Sequence, residues 1–241
     1  MLKSERGFSL IEIMIASSIS LAAVGSVIHM HSLIFAHTSR QLQTDHLRNT
    51  VQDILFLMEI DIRRSGYWAF DEENKQLHEN PFQTAGNDLR VQSYTSEPAD
   101  SCLLYSYDIN KNGKVGVGTC RGAGCTEDTD ASNVEQLGFR LKNKALQMRY
   151  AGSPLTCSSG RWQALTEKTI IVSKFQILLE TQCQNLSVAD APCLIGHNQQ
   201  LSRKLIITLS AHRKDSNIAE VTASKTIHIK NDKLLFTAAT P

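Results

Sequence analysis

The chain has 241 residues, with 25 Lys and Arg against 24 Asp and Glu and a formal net charge of +1. That balance argues against a protein built around a strongly basic nucleic-acid footprint. The length suits a long N-terminal helix plus one domain with its own core, and crowds out two independent domains.

A short basic leader containing Lys3 and Arg6 ends at Gly7, and Phe8-Ser9-Leu10-Ile11-Glu12 then opens an apolar run to about Ile28. About twenty such residues cross a bilayer as a helix. Glu12 is the one formally charged residue of the run. A carboxylate at the centre of a span costs about 2.5–3.5 kcal/mol on insertion scales, so Glu12 asks for a partner that no Lys or Arg inside the span supplies. Lys3 and Arg6 predict a cytoplasmic N-terminus, with the body of the chain across the membrane. A secretory signal cleaved near Ala22 and Ala23, or an uncleaved anchor, would share this topology.

Helical patterning continues past Ile28 but turns amphipathic, with His29, His31 and His37 where a helix would leave the lipid. Leu47, Val51, Ile54, Met58 and Ile62 recur at spacings of four, three, four and four, one apolar stripe. No proline interrupts residues 8–64, so a single helix of roughly 85 Å is predicted. It should end at Ser65-Gly66, with glycine in the left-handed cap and Arg63 and Arg64 at the negative end of the dipole. Tyr67-Trp68-Ala69-Phe70 is expected to pack back on the helix base.

Residues 71–100 are acidic and broken at Asn80-Pro81, Gly86-Asn87 and Glu97-Pro98, which reads as a long loop region. Strands are predicted over Ser101–Tyr107, Val134–Leu141, Ala145–Tyr150, Thr169–Glu180, Lys204–His212 and Val221–Lys230, with a hairpin turning near Asn143 and Lys144. The fold class is therefore α+β: a long helix covering the apolar face of an antiparallel sheet. Charge is uneven, with 12 acids against 5 bases over 71–135 and 14 bases against 6 acids over 136–241. Such halves can attract each other or neighbouring subunits, or be solvated faces.

Asp108, Asn110, Asn112 and Gly113 match the opening of a calcium loop, but the twelfth position, where a bidentate Glu belongs, is Thr119. An Asn-Gly turn between strands explains the same residues. Cys102, Cys120, Cys125, Cys157, Cys183 and Cys193 all lie beyond the helix and suit an oxidising compartment. Disulfides explain them better than zinc, since Cys120 and Cys125 have no second matching pair. Of the 15 connectivities that six cysteines allow, Cys120–Cys125, Cys183–Cys193 and Cys102–Cys157 are expected. No Gly-x-Ser-x-Gly elbow, His-Glu-x-x-His helix or phosphate-binding glycine loop occurs. No catalytic residue, metal or cofactor is predicted. Arg203, Lys204, Arg213, Lys214, Lys225, Lys230 and Lys233 make a modest basic patch that reads as sheet-surface solvation, so direct nucleic-acid binding is not expected.

The leader and the run that follows it resemble the prepilin signal of type IV pilins and type II secretion pseudopilins. The resemblance implies cleavage by a prepilin peptidase between Gly7 and Phe8, N-methylation of Phe8, and pairing of Glu12 with the N-terminal amine of a neighbouring subunit. Three further stretches, Asp61-Ile-Arg-Arg-Ser-Gly-Tyr67, Asp108-Ile-Asn-Lys-Asn-Gly113 and Ile227-His-Ile-Lys-Asn231, are similar to those of PilW-like minor pilins. Membership would imply a pilin-like fold: leader 1–7, helix 8–65 with membrane span 8–28, and a disulfide-bonded periplasmic or extracellular domain over 66–241. It would also imply a structural role without enzymatic activity, in priming pilus assembly and near the pilus tip. The implied partners are the major pilin, other minor pilins, the prepilin peptidase, the inner-membrane assembly platform and a tip adhesin. Twitching motility, adhesion or DNA uptake would be outcomes of the pilus. A J-type minor pseudopilin of type II secretion, or a membrane-anchored periplasmic enzyme or binding protein, are the alternatives.

Overall fold

The computed structural model describes residues 7, 9–69, 80–116, 133–188, 190–194, 196–214 and 219–236. Helix α1 spans Leu10–Ile62. Two compact units divide at its residues 46 and 47.

In the first unit every large apolar side chain from Leu10 to Phe35 is more than half exposed, and this stretch is long and apolar enough to cross a membrane. A helix apolar all round needs lipid or other helices as its environment. Its serines are compatible with that setting, because Ser17, Ser18, Ser26 and Ser32 donate their hydroxyls to backbone carbonyls one turn earlier, at 2.8–3.0 Å.

In the second unit the apolar stripe of α1 is buried: Leu47, Val51, Ile54, Met58 and Ile62, joined by Leu55. It packs into one core with side chains of two antiparallel sheets. The first sheet is a meander of β1 (Arg90–Gln92), β2 (Cys102–Ser106), β3 (Gln136–Lys142), β4 (Ala145–Ala151) and β5 (Arg161–Ala164), in that order. In the second, β6 (Ile170–Asn185) pairs with β7 (Gln199–Arg213) along its length. The other edge of β7 is shared by β8 (Val221–His228), along Lys204–Ala211, and by β9 (Lys233–Leu235), along Gln199–Leu201. Leu103, Tyr105 and Phe139 come to the core from the first sheet, and Phe175, Ile207 and Ile227 from the second.

The single sheet expected from sequence is thus two. The physical reason is β5, a short exposed strand with one large apolar residue, Trp162, which occupies the free edge of β4. With that edge taken, β6 starts a new sheet. The 71–100 zone is also more ordered than expected, containing a 3-10 helix over Pro81–Gln83 and strand β1. The β3–β4 hairpin turns on Asn143 and Lys144, both at positive φ (51° and 61°), which is the two-residue turn whose twist matches that of the strands.

All five residues of β2 are buried. One side faces the main core, while Cys102 and Leu104 meet Leu155, Cys157 and Trp162 in a second small cluster. Cys102 is bonded to Cys157 across 55 residues, which fastens the β4–β5 connection over the sheet. Three arginines hold the same connection. Arg149, fully buried, donates to the carbonyls of Gln136, Gly152 and Pro154. Arg140 donates to that of Cys157, and Arg90 to that of Leu155. Burial, and then the like charges of Arg140 and Arg90, push the Arg149 guanidinium down to about 10, which leaves it charged at neutral pH.

Candidate subunit interface at the helix end

The last turn of a helix leaves backbone carbonyls without intrahelical partners. Here the N–H groups of Arg63, Arg64 and Ser65 donate to the carbonyls of Glu59, Asp61 and Ile62, and distant parts of the chain meet those of the turn that follows, Arg63 to Gly66. Gly66, at φ +74°, turns out of the helix and its N–H donates to the Ser106 carbonyl at 2.8 Å. A Cβ at Gly66 would lie 2.4 Å from Gln83 Nε2. Asn231 Nδ2 donates to the carbonyls of Arg64 (3.2 Å) and Ser65 (3.0 Å), and the Lys230 N–H to that of Arg63 (3.4 Å). Asn80 Nδ2 donates to the Gly66 carbonyl at 2.9 Å.

One turn earlier, Asp61 accepts hydroxyl hydrogen bonds from Tyr105 and Tyr107 and so pins α1 to β2. Burial, followed by the Asp61 charge, raises both phenols; Tyr105 rises well above its ordinary value, and Arg64 partly offsets the rise at Tyr107. Glu59 faces β8, where Lys225 reaches it at 2.8 Å. That hydrogen bond holds the Glu59 carboxyl below its usual range.

The third participant is the segment after β2. The Asp108 N–H donates to the Tyr67 carbonyl at 2.9 Å. The Asp108 carboxylate accepts from the N–H groups of Ala69 (3.0 Å), Gly113 (3.0 Å) and Asn112 (3.2 Å). Asn110 Oδ1 also takes the Asn112 N–H, and Asn112 Oδ1 that of Lys114. Buried Glu135 receives the N–H groups of Ile109 and Gly116. The side-chain oxygens singled out as calcium ligands therefore close a turn by accepting backbone N–H bonds. Thr119 lies outside the described residues, and among the described residues no group of three or more His, Cys, Asp or Glu is placed to hold a metal ion.

Trp68 follows Tyr67 out of the helix end. Its indole N–H donates to the Gly113 carbonyl at 3.2 Å, tying the run to the Asp108 turn. Phe70 lies outside the described residues.

These contacts bring together the three stretches singled out in the sequence, and they enclose a groove of about 550 Å³. Ile60, Arg63, Arg64 and Tyr67 line it from the helix end, Tyr107, Asp108, Ile109 and Lys111 from the segment after β2, and Lys230 and Asn231 from the segment after β8. The capping role of Asn231 and the Asp61–tyrosine pins were not anticipated. The signal was the turn that ends a long helix, whose carbonyls need partners from elsewhere in the chain.

The other sequence-predicted residues stand apart from this groove. Gly7 is exposed, while Phe8 lies outside the described residues. The Glu12 carboxylate accepts the Ser9 backbone N–H at 2.8 Å, at the start of α1. Cys183 and Cys193 are bonded near the distal end of the β6–β7 hairpin. Cys120 and Cys125 are outside the described residues.

A family described as "Prepilin peptidase-dependent protein B" matches residues 40–229, the second half of α1 and nearly all of the domain. The chain belongs to the prepilin peptidase-dependent protein B family. Residues 2–28 also match the prokaryotic N-terminal methylation motif, so a prepilin-type signal precedes a family domain in one type IV pilin-like protein. An "Uncharacterized protein" of Haemophilus influenzae is similar to this chain, 33% identical over 111 residues, which cover 43% of the chain. The match spans 45% of that relative's length. No solved structure matches. The family's description points to the context of pilin processing, and the methylation motif with the apolar first part of α1 fits an inner-membrane-anchored pilin-like protein.

Proposed function

We propose that this chain is a minor pilin of a type IV pilus, of the PilW-like kind. On this reading it is cut between Gly7 and Phe8, methylated at Phe8, and held in the inner membrane by Phe8 to about Ile28 until it enters the filament. The observation that carries the reading is the pairing of a prepilin-type signal with a helix whose first part is apolar all round and exposed, and whose second part is built into a domain. Such a first part needs neighbouring helices or lipid. In the assembled state Glu12 meets the amine of an adjacent Phe8, and the charge pair replaces a carboxylate alone in lipid.

The chain acts as a structural subunit and performs no reaction. Its partners are other minor pilins, the major pilin, the prepilin peptidase and the inner-membrane assembly platform. It primes assembly and stays near the tip, where an adhesin is presented; motility, attachment and DNA uptake follow from the pilus as a whole. The PilW-like assignment is supported by the convergence of the Asp61–Tyr67, Asp108–Gly113 and Ile227–Asn231 stretches on one groove.

The test is intact-mass and N-terminal analysis of protein from host membranes, with the prepilin peptidase present and then deleted. A chain starting at N-methylated Phe8 only when the peptidase is present is the expected result. Cleavage near Ala23, or none, would overturn the proposal. Normal pili but impaired protein secretion in a deletion strain would reassign the chain to a type II secretion pseudopilus.

A further inference from the structure

The groove at the helix end carries charge and apolar surface that the fold itself does not use up. Arg63, Arg64, Lys111 and Lys230 stand around one carboxylate, Asp108, whose oxygens already accept three backbone N–H groups. Lys111 and Lys230 are exposed. Arg63 reaches Glu59 at 3.8 Å, a long pair at the surface, and Arg64 bonds the neutral hydroxyl of Tyr107. Between these cations lie Ile60, Tyr67 and Ile109, 44%, 39% and 38% exposed. Phe56 and Leu57, also exposed, lie one turn back on the same side of α1 as Ile60.

This mixture selects among occupants. A small anion would leave the apolar walls wet, and a nucleic-acid backbone would need a longer cationic track. A short peptide stretch offers both charge and apolar surface at the scale of this groove.

We propose that the groove docks an acidic segment of another protein chain, its carboxylates against Lys111, Lys230 and the two arginines and an apolar side chain against Ile60, Tyr67 and Ile109. Identification of that chain as a neighbouring pilus subunit rests on the function proposed above; the docking chemistry does not. Rim cations chiefly steer and select the partner, so binding weakens with salt.

The test uses the full chain in detergent micelles and a fluorescein-labelled peptide, EDFIED, with QNFIQN as its neutral counterpart. Saturable binding of the acidic peptide, at least tenfold tighter than the neutral one, is expected. Lys111→Glu combined with Lys230→Glu should weaken the acidic peptide at least tenfold, and Ile109→Ser at least threefold. Lys168→Glu combined with Lys174→Glu, exposed charges outside the groove, should change it less than twofold. All of these side chains are exposed, and the Trp68 and Trp162 emission of each variant reports that it is folded. The proposal is overturned by absence of saturable binding, by equal affinity for both peptides, or by equal losses in groove and control variants. It is also overturned if an oligonucleotide of equal charge binds more tightly than the acidic peptide. Failure here leaves the Phe8 processing result untouched, and an unprocessed chain that still binds the peptide would overturn the pilin role alone.

Discussion

Replacing Asn231 with alanine removes both side-chain hydrogen bonds that close the end of α1, to the carbonyls of Arg64 and Ser65. The two losses are unequal. Ser65 is 1% exposed, so its carbonyl is left without water, and a stranded buried acceptor costs about 1–3 kcal/mol. The Arg64 carbonyl keeps the Tyr67 N–H at 2.8 Å, which puts its loss at the low end of the usual net value, about 0.5 kcal/mol. The sum is about 2 kcal/mol, roughly a thirtyfold shift in the folding equilibrium. Urea unfolding of the full chain in detergent, followed by Trp68 and Trp162 fluorescence, measures it. The Asn231 backbone carbonyl, which accepts from Gln83 Nε2 at 3.1 Å, survives the substitution and keeps the C-terminal segment anchored. Asn231→Asp keeps the size but removes both donors, so it should cost at least as much as alanine. A change below about 0.5 kcal/mol at unchanged m-value for Asn231→Ala, or a mild Asn231→Asp, would refute the capping argument.

The same unfolding assay checks three further expectations. In the loop-entropy account, removing Cys102–Cys157, which spans 55 residues, costs about 4 kcal/mol, and removing Cys183–Cys193, which spans 10, costs about 3. Paired Cys→Ser variants should keep that order. Arg149→Met strands the carbonyls of Gln136 and Gly152, while that of Pro154 keeps the Thr156 N–H at 3.0 Å, and should destabilise by about 2 kcal/mol or more. Tyr105 and Tyr107 have folded pKa values above their unfolded ones. The stability they confer is therefore complete below about pH 10 and is lost as pH rises beyond it, at up to about 1.4 kcal/mol per pH unit for each tyrosine. Arg149, lowered to about 10, acts in the opposite sense above that pH; Tyr107→Phe isolates the tyrosine contribution by removing one proton from the slope.

What the sequence made legible was whatever depends on local periodicity. The α1 stripe from Leu47 to Ile62 is buried as its spacing required, and the Asn143-Lys144 turn lies where the alternating runs on either side placed it. The misses share one cause. Strands β1, β5 and β9 are three or four residues long, too short to show a period, and each exists because a longer strand offered it an edge. The same holds for the groove. Asp61, Asp108 and Asn231 could each be singled out in the sequence, but nothing in it states that the carbonyls of Arg64 and Ser65 wait for an amide 166 or 167 residues away. The buried arginines were invisible for a related reason: a guanidinium in a strand reads as solvent-facing until the loop whose carbonyls it binds is in place.

Glu12 is where local and assembled roles compete. Ser9 and Glu12 stand in the Ser-x-x-Glu relation of a capping box, and the Glu12 carboxylate accepts the Ser9 N–H at 2.8 Å. A carboxylate at this position therefore has a reason to exist within a single chain. Glutamine fills the same place in a capping box, so Glu12→Gln keeps an acceptor for Ser9 while deleting the charge that the proposed pairing with a neighbour's amine requires. Glu12→Ala deletes both. If capping is the whole role, Glu12→Gln cells make normal pili and only Glu12→Ala cells fail. If the charge pair drives entry into the filament, both variants insert in the membrane and are processed at Phe8, yet neither assembles. Counting pili alongside the N-terminal mass of each variant separates these outcomes, and wild-type piliation in Glu12→Gln cells would remove the charge pair from the account of assembly.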